Sequence, residues 1–232
     1  MIDLDALARR ADGVAPLPLA IVIPTVGRRS LANTCESIAP QTQAGDRITV
    51  VCDNPSGYDL ACQCVEFARE QSHEEAIWRC WKNRGVPGVY GHGARNWALD
   101  KLAALEDRPD WCWSIDDDDE ATFGVLDMIR TACASGAAPW YVFRMRGGEG
   151  SHFPGVSVPT MGEQVILGNI GTPMIVFPTG CESRFGVKAT DAQHGPGYFG
   201  DFVLAGSLQL EFGDPSWRSE TVAEIRMRPE AA

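Results

Sequence analysis

Several signatures are missing from this 232-residue chain, and each absence removes a class of function. No GxGxxG follows the first apolar run, so the dinucleotide fingerprint of dehydrogenases is absent. No GxxxxGK followed by Ser or Thr offers a phosphate loop. There is no GxSxG nucleophile elbow. The eight cysteines contain no CxxC pair, only Cys62 and Cys64 as a CxC, and the four histidines lack regular spacing. A zinc module is therefore not expected. Long apolar runs are missing too. Leu17–Pro24 is too short to cross a bilayer and contains prolines. Met1–Arg10 is mixed in charge and lacks a signal-peptide core. Thiols scattered inside apolar runs, such as Cys52 and Cys112, read as buried cysteines of a reducing compartment. The expectation is a soluble, cytoplasmic protein with no membrane span.

Basic charge is also short. Lys and Arg number 20 against 31 Asp and Glu, for a formal net charge of −11. A general nucleic-acid binder needs a basic face, and this balance argues against one. It leaves room for a local patch around Arg144 and Arg146. With 44% apolar and 22% charged residues, the composition is that of a globular chain.

What is present in excess is carboxylate in one place. The apolar run Trp111–Ile115 ends in Asp116, Asp117, Asp118, Asp119 and Glu120. Each close pair of like charges costs roughly 1 kcal/mol even in water-like surroundings. A hard divalent cation removes that cost, because Mg²⁺ and Mn²⁺ prefer carboxylate oxygens. The competing reading is a solvated acidic turn. The run is not an EF-hand: with Asp116 first, the sixth residue is Ala121 and the twelfth is Asp127.

Strand and helix signals alternate through the first half. Leu19–Ile23 and Ile48–Cys52 are continuous apolar runs, as in strands buried on both faces. Ser30 can cap a helix over Leu31–Ile38. Further helices are expected over Leu60–Gln71 and Ala94–Leu105. The second half is rich in Gly and Pro. It offers short strands at Trp140–Met145 and Met174–Phe177, a helix over Asp201–Leu210, and an edge strand at Thr221–Met227. The whole predicts one α/β domain, 1–232, with a mostly parallel central sheet flanked by helices. Its site should lie at the carboxyl ends of the strands. Thr25, Asp53 and Asp116–Asp119 each follow an apolar run, so a parallel sheet would bring them to one rim. Asp53 alone also reads as an Asx-turn residue, and Arg95 alone as a surface arginine.

The motifs Ile21-Val-Ile-Pro-Thr-Val-Gly-Arg28, Ser37-Ile38 with Gln41, Val50-Val-Cys-Asp-Asn54, Gly93-Ala-Arg-Asn-Trp-Ala-Leu99 and Ile115-Asp-Asp-Asp-Asp-Glu120 occur in this order. Together they resemble the family 2 glycosyltransferases of the GT-A fold, of the small phage and bacterial type. The resemblance covers about the first 130 residues, and Gly168–Phe177 and Gly200–Val203 match more loosely. It implies a GT-A, Rossmann-like domain with a nucleotide-sugar half near 17–130 and an acceptor half near 131–232. It implies transfer of a sugar from a nucleotide-sugar donor, a UDP-sugar being favoured, to an acceptor hydroxyl, with inversion and with Mn²⁺ or Mg²⁺.

Position by position, the resemblance puts Pro24, Thr25 and Arg28 on the donor side, Asp53 on the base and Arg95 near the diphosphate. Asp116 and Asp118 become the acids of an Asp-x-Asp motif and the metal ligands. The resemblance also allows Asp116 to serve the ribose in place of the metal, and Asp117 is the alternative if the register slips by one. The family's catalytic base stands in an acidic pair before a late helix. Here that place reads Gly200-Asp201, so the first acid is missing and Asp201 is the candidate base. Asp191 and Glu182 are the fallbacks, and His194 reads as a loop residue. The acceptor is left open among a glycan, a protein side chain and a modified nucleic-acid base. The rival readings are a nucleotidyltransferase, a phosphatase with an Asp-x-Asp nucleophile, and a nucleotide-sugar-binding domain without catalysis.

Overall fold

The computed structural model describes residues 17–146, 165, 170–188 and 195–225. Eight strands form one sheet: β1 Leu19–Thr25, β2 Arg47–Cys52, β3 Ile77–Lys82, β4 Trp111–Ser114, β5 Asp119–Ala121, β6 Tyr141–Arg146, β7 Ile175–Pro178 and β8 Ser216–Ile225, in the order β3-β2-β1-β4-β7-β6-β8-β5. β3, β2, β1 and β4 run parallel, as do β6 and β8; the pairs β4–β7, β6–β7 and β5–β8 are antiparallel. Five helices flank the sheet: α1 Leu31–Ile38, α2 Tyr58–Glu70, α3 His92–Ala103, α4 Val125–Ala134 and α5 Gly200–Phe212. The described residues form the expected α/β fold, a mostly parallel sheet flanked by helices.

The continuous apolar strands have a direct cause. Successive residues of a strand face opposite sides of the sheet, and both sides are covered here. Leu19, Ile21 and Ile23 of β1 join one core with Leu31, Ala61, Val65 and Ile129 from α1, α2 and α4. Ala20 and Val22 join the other, with Ala98 and Leu102 of α3 and Leu204 and Leu208 of α5. All seven residues of β1 are buried.

Four elements depart from the sequence expectation. β3, with only Trp78 buried and with Arg79 and Lys82 exposed, carries no apolar run to announce it. β5 begins inside the acidic run itself, and α4 follows it; neither was expected. The tail strand is not an edge strand: β8 lies between β6 and β5. Its weak apolar alternation reflects residues only half-buried along most of its length. Met227 lies outside the described residues. All eight cysteines are free thiols, and six of them are buried. Among the described residues no helix is long and apolar enough to cross a membrane.

Candidate active site

β2, β1 and β4 are adjacent and parallel, so their carboxyl ends open on one rim. The backbone joins them there. Asp53 N–H donates to the Thr25 carbonyl at 2.8 Å, and the Thr25 hydroxyl donates to Asp117 Oδ2 at 2.6 Å. The same Thr25 oxygen accepts the Gly27 N–H. Pro24, just before it, is buried at the end of β1 and lies against Gly91. The three groups expected at one rim are thus brought together.

Asp53 is only partly buried, and its carboxylate is in use. It accepts from the Asn83 side chain and, at 3.1 Å, from Gly88 N–H. It therefore ties the loop after β3 to the end of β2. Burial raises its pKa, and the Asn83 and Gly88 bonds oppose that rise. Each oxygen keeps a lone pair for a further donor.

The four aspartates divide by alternation. Asp117 and Asp119 are buried. The side chains of Asp116 and Asp118 are 37% and 21% exposed, against 5% for Asp117. Asp117 is held by Thr25 and by Arg28 at 2.9 Å; Arg28 also reaches Asp118 at 3.3 Å. Asp119 is pushed up to about 8, first by burial and then by the charges of Asp116 and Asp118. Its carbonyl accepts the Thr34 hydroxyl of α1 at 2.7 Å, and Ser37 of α1 accepts the Ala121 N–H at 3.0 Å. Helix α1 therefore fixes where the acidic run ends and β5 begins.

Arg95 is not the surface arginine its position first suggests, for it is 1% exposed in the first turn of α3. Its guanidinium donates to the Ser114 hydroxyl at 3.0 Å, the Tyr90 carbonyl at 2.8 Å, His92 Nδ1 at 3.3 Å and the Asp116 carboxylate. A guanidinium has five N–H groups, so these partners leave little for a diphosphate. The geometry makes Arg95 an anchor that orients Asp116. Such contacts offset the poor placement of a cation at a helix N-terminus.

His92 packs its ring on Phe185 at 5.1 Å and 12°. Burial first, and the Arg95 charge second, push it down to about 3, while a bond to the Gly197 backbone opposes the fall. Because an arginine only donates, His92 Nδ1 accepts from Arg95. Against the same ring lies Gly200: a Cβ there would sit 2.2 Å from His92 Cδ2. An acid in place of Gly200 would have to displace the His92 ring. Asp201 follows in the first turn of α5 and accepts the Phe202 N–H at 2.8 Å. Burial pushes it up to about 6; Arg95 lowers it and Asp116 raises it, so its carboxyl shares their field.

Glu182 is a poor fallback. Its N–H is bonded to Glu211, near the far end of α5, ten residues and thus about 15 Å along the helix from Asp201. Asp191 and His194 lie outside the described residues. Nor is the suggested patch at Arg144 and Arg146 open, since Arg144 is partly buried and Arg146 pairs with Glu224. Sequence reasoning missed Thr34, Ser114 and Tyr90, which act through hydroxyl and carbonyl groups that no motif marks. His92 had one signal, its place between two glycines three residues before Arg95.

Among the described residues no three or more His, Cys, Asp or Glu are grouped to cage a metal ion. Mg²⁺ is commonly bound otherwise, by one or two carboxylates together with substrate phosphates and water. The two partly exposed carboxylates, Asp116 and Asp118, fit that second kind of site.

No family model matches the chain, and no curated protein matches it by sequence. Solved structures do match in fold. S. aureus TarS superposes with a TM-score of 0.66 at 16% identity, over 92% of this chain and 37% of that one. TarS 1–349 in complex with UDP-GlcNAc gives 0.66 at 16% identity, over 92% of this chain and 60% of that one. TarS 1–349 in complex with UDP gives 0.63 at 16% identity, over 92% and 61%. The chain therefore shares its fold with TarS and spans little more than a third of the whole TarS chain.

Proposed function

We propose that this protein is a glycosyltransferase that moves a sugar from a nucleotide-sugar donor, preferably a UDP-sugar, to an acceptor hydroxyl with inversion. The observation that carries the reading is the shared rim. Thr25, Asp53 and Asp116–Asp119 converge at the ends of three parallel strands, with Asp201 in the field of Asp116. The fold is shared with a protein crystallised with UDP and with UDP-GlcNAc.

On this reading residues 17–130 bind the donor and 131–232 the acceptor. Pro24 and Thr25 line the nucleotide, with Asp53 accepting from the base ring N–H. Asp118 and Asp116 would hold Mn²⁺ or Mg²⁺. When bound, the ion neutralises charge on the departing diphosphate. Arg95 keeps Asp116 aimed at the rim, and Arg28 balances Asp117 and Asp118. Asp201 accepts the proton of the acceptor hydroxyl as its oxygen bonds to the anomeric carbon. The bond from that carbon to the diphosphate breaks, and its electron pair leaves with the nucleotide. A carboxyl near pKa 6 is deprotonated at neutral pH and still basic enough to take the proton.

The test is a panel of nucleotide sugars assayed for Mn²⁺-dependent release of nucleoside diphosphate, with Asp201→Asn beside the parent. Asn cannot take the proton, so turnover should fall about 10²–10⁴-fold while UDP affinity holds. Near-parental turnover removes Asp201 as the base. UDP binding without turnover of any sugar nucleotide favours the non-catalytic binding domain.

A further inference from the structure

One residue beside the site is strained and exposed together. Tyr90 has φ 58° and ψ 30°, the left-handed region that bulky residues avoid, and it is the one non-glycine with positive φ among the described residues. Its side chain is 60% exposed. Tyr198 is 44% exposed, and its ring meets that of Tyr90 edge-on at 5.8 Å. Tyr198 also packs edge-on against Phe199 at 5.0 Å, and Phe199 is the residue from which α5 starts. Burial does not explain the strain, because most of the Tyr90 ring is in water. Its backbone is held instead by Arg95, which binds the Tyr90 carbonyl and Asp116 with the same guanidinium. A strained conformation maintained by a buried charge beside a reactive centre points to function.

The connections close into a circuit. Tyr90 is bonded to Arg95, Arg95 and Asp116 set the field at Asp201, and Asp201 is three residues from Tyr198. Three residues span at most about 11 Å between Cα atoms. The two exposed rings thus lie within reach of both Asp116, through Arg95, and the start of the helix that carries Asp201.

We propose that Tyr90 and Tyr198 form a stacking platform for the acceptor, and that the acceptor is a carbohydrate; this rests on the glycosyltransferase reading above. An aromatic face takes the apolar C–H face of a pyranose, while a neighbouring carboxylate takes its hydroxyl. The rings meet at 74°, so one offers its face while the other supports it from the side, and a ring face paired with Asp201 is what a sugar ring requires. A nucleic-acid acceptor would bring phosphates to a rim of four aspartates in a chain of net charge −11, which costs association. A peptide hydroxyl needs no flat ring surface.

The experiment uses the full chain with UDP-glucose or UDP-GlcNAc, Mn²⁺, and methyl glycosides as acceptor probes. A hydroxymethylated oligonucleotide and a Ser-containing peptide serve as competing arms. Saturation-transfer NMR reads glycoside contact directly. The variants are Tyr90→Gly, which relieves rather than adds backbone strain, and Tyr198→Ala, with Tyr90→Phe and Tyr198→Phe as ring-retaining controls. The expected result is saturable stimulation by a glycoside, with its KM raised at least about tenfold in Tyr90→Gly and Tyr198→Ala and restored in the Phe variants. UDP affinity should be preserved in all four. The proposal is overturned if the oligonucleotide or peptide is the acceptor, if glycoside KM is unchanged, or if UDP affinity falls in parallel. If UDP does not bind at all, the glycosyltransferase reading fails first. Glycoside saturation transfer, lost or kept in Tyr198→Ala, then still decides the platform.

Discussion

At the amino ends of β1 and β2, Arg130 of α4 is buried against Asp46; at the carboxyl end of β4, Arg95 of α3 is buried against Asp116. The two arginines are equally hidden, at 3% and 1% exposure. The carboxylates are not. Asp46 is fully buried and accepts from Leu19 N–H at 2.8 Å, Gln43 N–H at 2.9 Å and Arg130. Asp116 is 37% exposed, with Arg95 on one side and the cleft on the other. The first pair is closed: Asp46 has only Arg130 and the backbone as partners, while Arg130 reaches past it to Asp127 on its own helix at 2.9 Å. The second is open, and its outward oxygen is available to a ligand. The same chemical pair thus fastens one end of the sheet and arms the other. Burial raises Asp46 despite Arg130, so pairing only partly offsets desolvation there.

Breaking the closed pair should have the largest effect. Arg130→Met leaves Asp46 buried and uncompensated, a loss of about 3–5 kcal/mol. Urea denaturation measures it, and UDP affinity of the folded fraction should stay parental. Cutting the open pair should cost less stability and more function. In Arg95→Met, Asp116 can turn to water, so the stability loss is about 1–3 kcal/mol. UDP affinity in Mn²⁺ should drop, because Asp116 is no longer aimed. If Arg95→Met destabilises as much as Arg130→Met and leaves UDP binding intact, the two pairs are alike and the contrast is lost.

A third substitution sharpens the functional end. Asp53→Ala should weaken UDP by roughly ten- to hundredfold, the worth of a hydrogen bond to a charged acceptor, while Mn²⁺ affinity is unchanged. Isothermal titration separates the two.

The smallest effect is a pH slope. Asp201 has its folded pKa raised from 3.8 to about 6 by burial. Between those values the folded state binds more protons than the unfolded one. This group's contribution therefore makes stability fall as pH rises from about 4 to 6. Asp201→Asn should remove that increment, seen as a flatter pH profile of the variant's urea midpoint and a parent-minus-variant difference that declines between about pH 4 and 6. In the same window the parent's turnover should rise with pH and level off above about 7, as a base must. A variant without the rate loss but with the flattened slope would make Asp201 a buried acid only.

The donor end of this comparison was legible in the sequence because it is built from runs. Leu19–Ile23, Ile48–Cys52 and Trp111–Ile115 are largely apolar because both faces are covered, and a polar residue within two positions of the end of each marks the rim. Asp53 and the acidic run could be read from that pattern alone. What escaped was whatever depends on residues far apart in the chain. Arg95 reads as a surface residue until Ser114 and Asp116 are folded over it. Asp46 and Arg130 lie 84 positions apart. β5 was invisible because the acidic run looks like the end of a strand, whereas Asp119 begins another by pairing with Ile225. The expected edge strand β8 is interior because β5 pairs with it on its far side.

The contact between His92 and Gly200 has a consequence for how such chains can vary. A side chain at position 200 and an imidazole at position 92 exclude one another, so neither position is free to drift alone. Chains of this architecture that carry an acid at the position of Gly200 are expected to carry a smaller residue at the position of His92. The pair should appear in an alignment as a correlated exchange, glycine with histidine or acid with small. A substitution such as Gly200→Glu should gain function only in company, after His92→Ala has made the room. The route from one acid to two before this helix thus runs through a residue on another element, more than a hundred positions earlier in the chain.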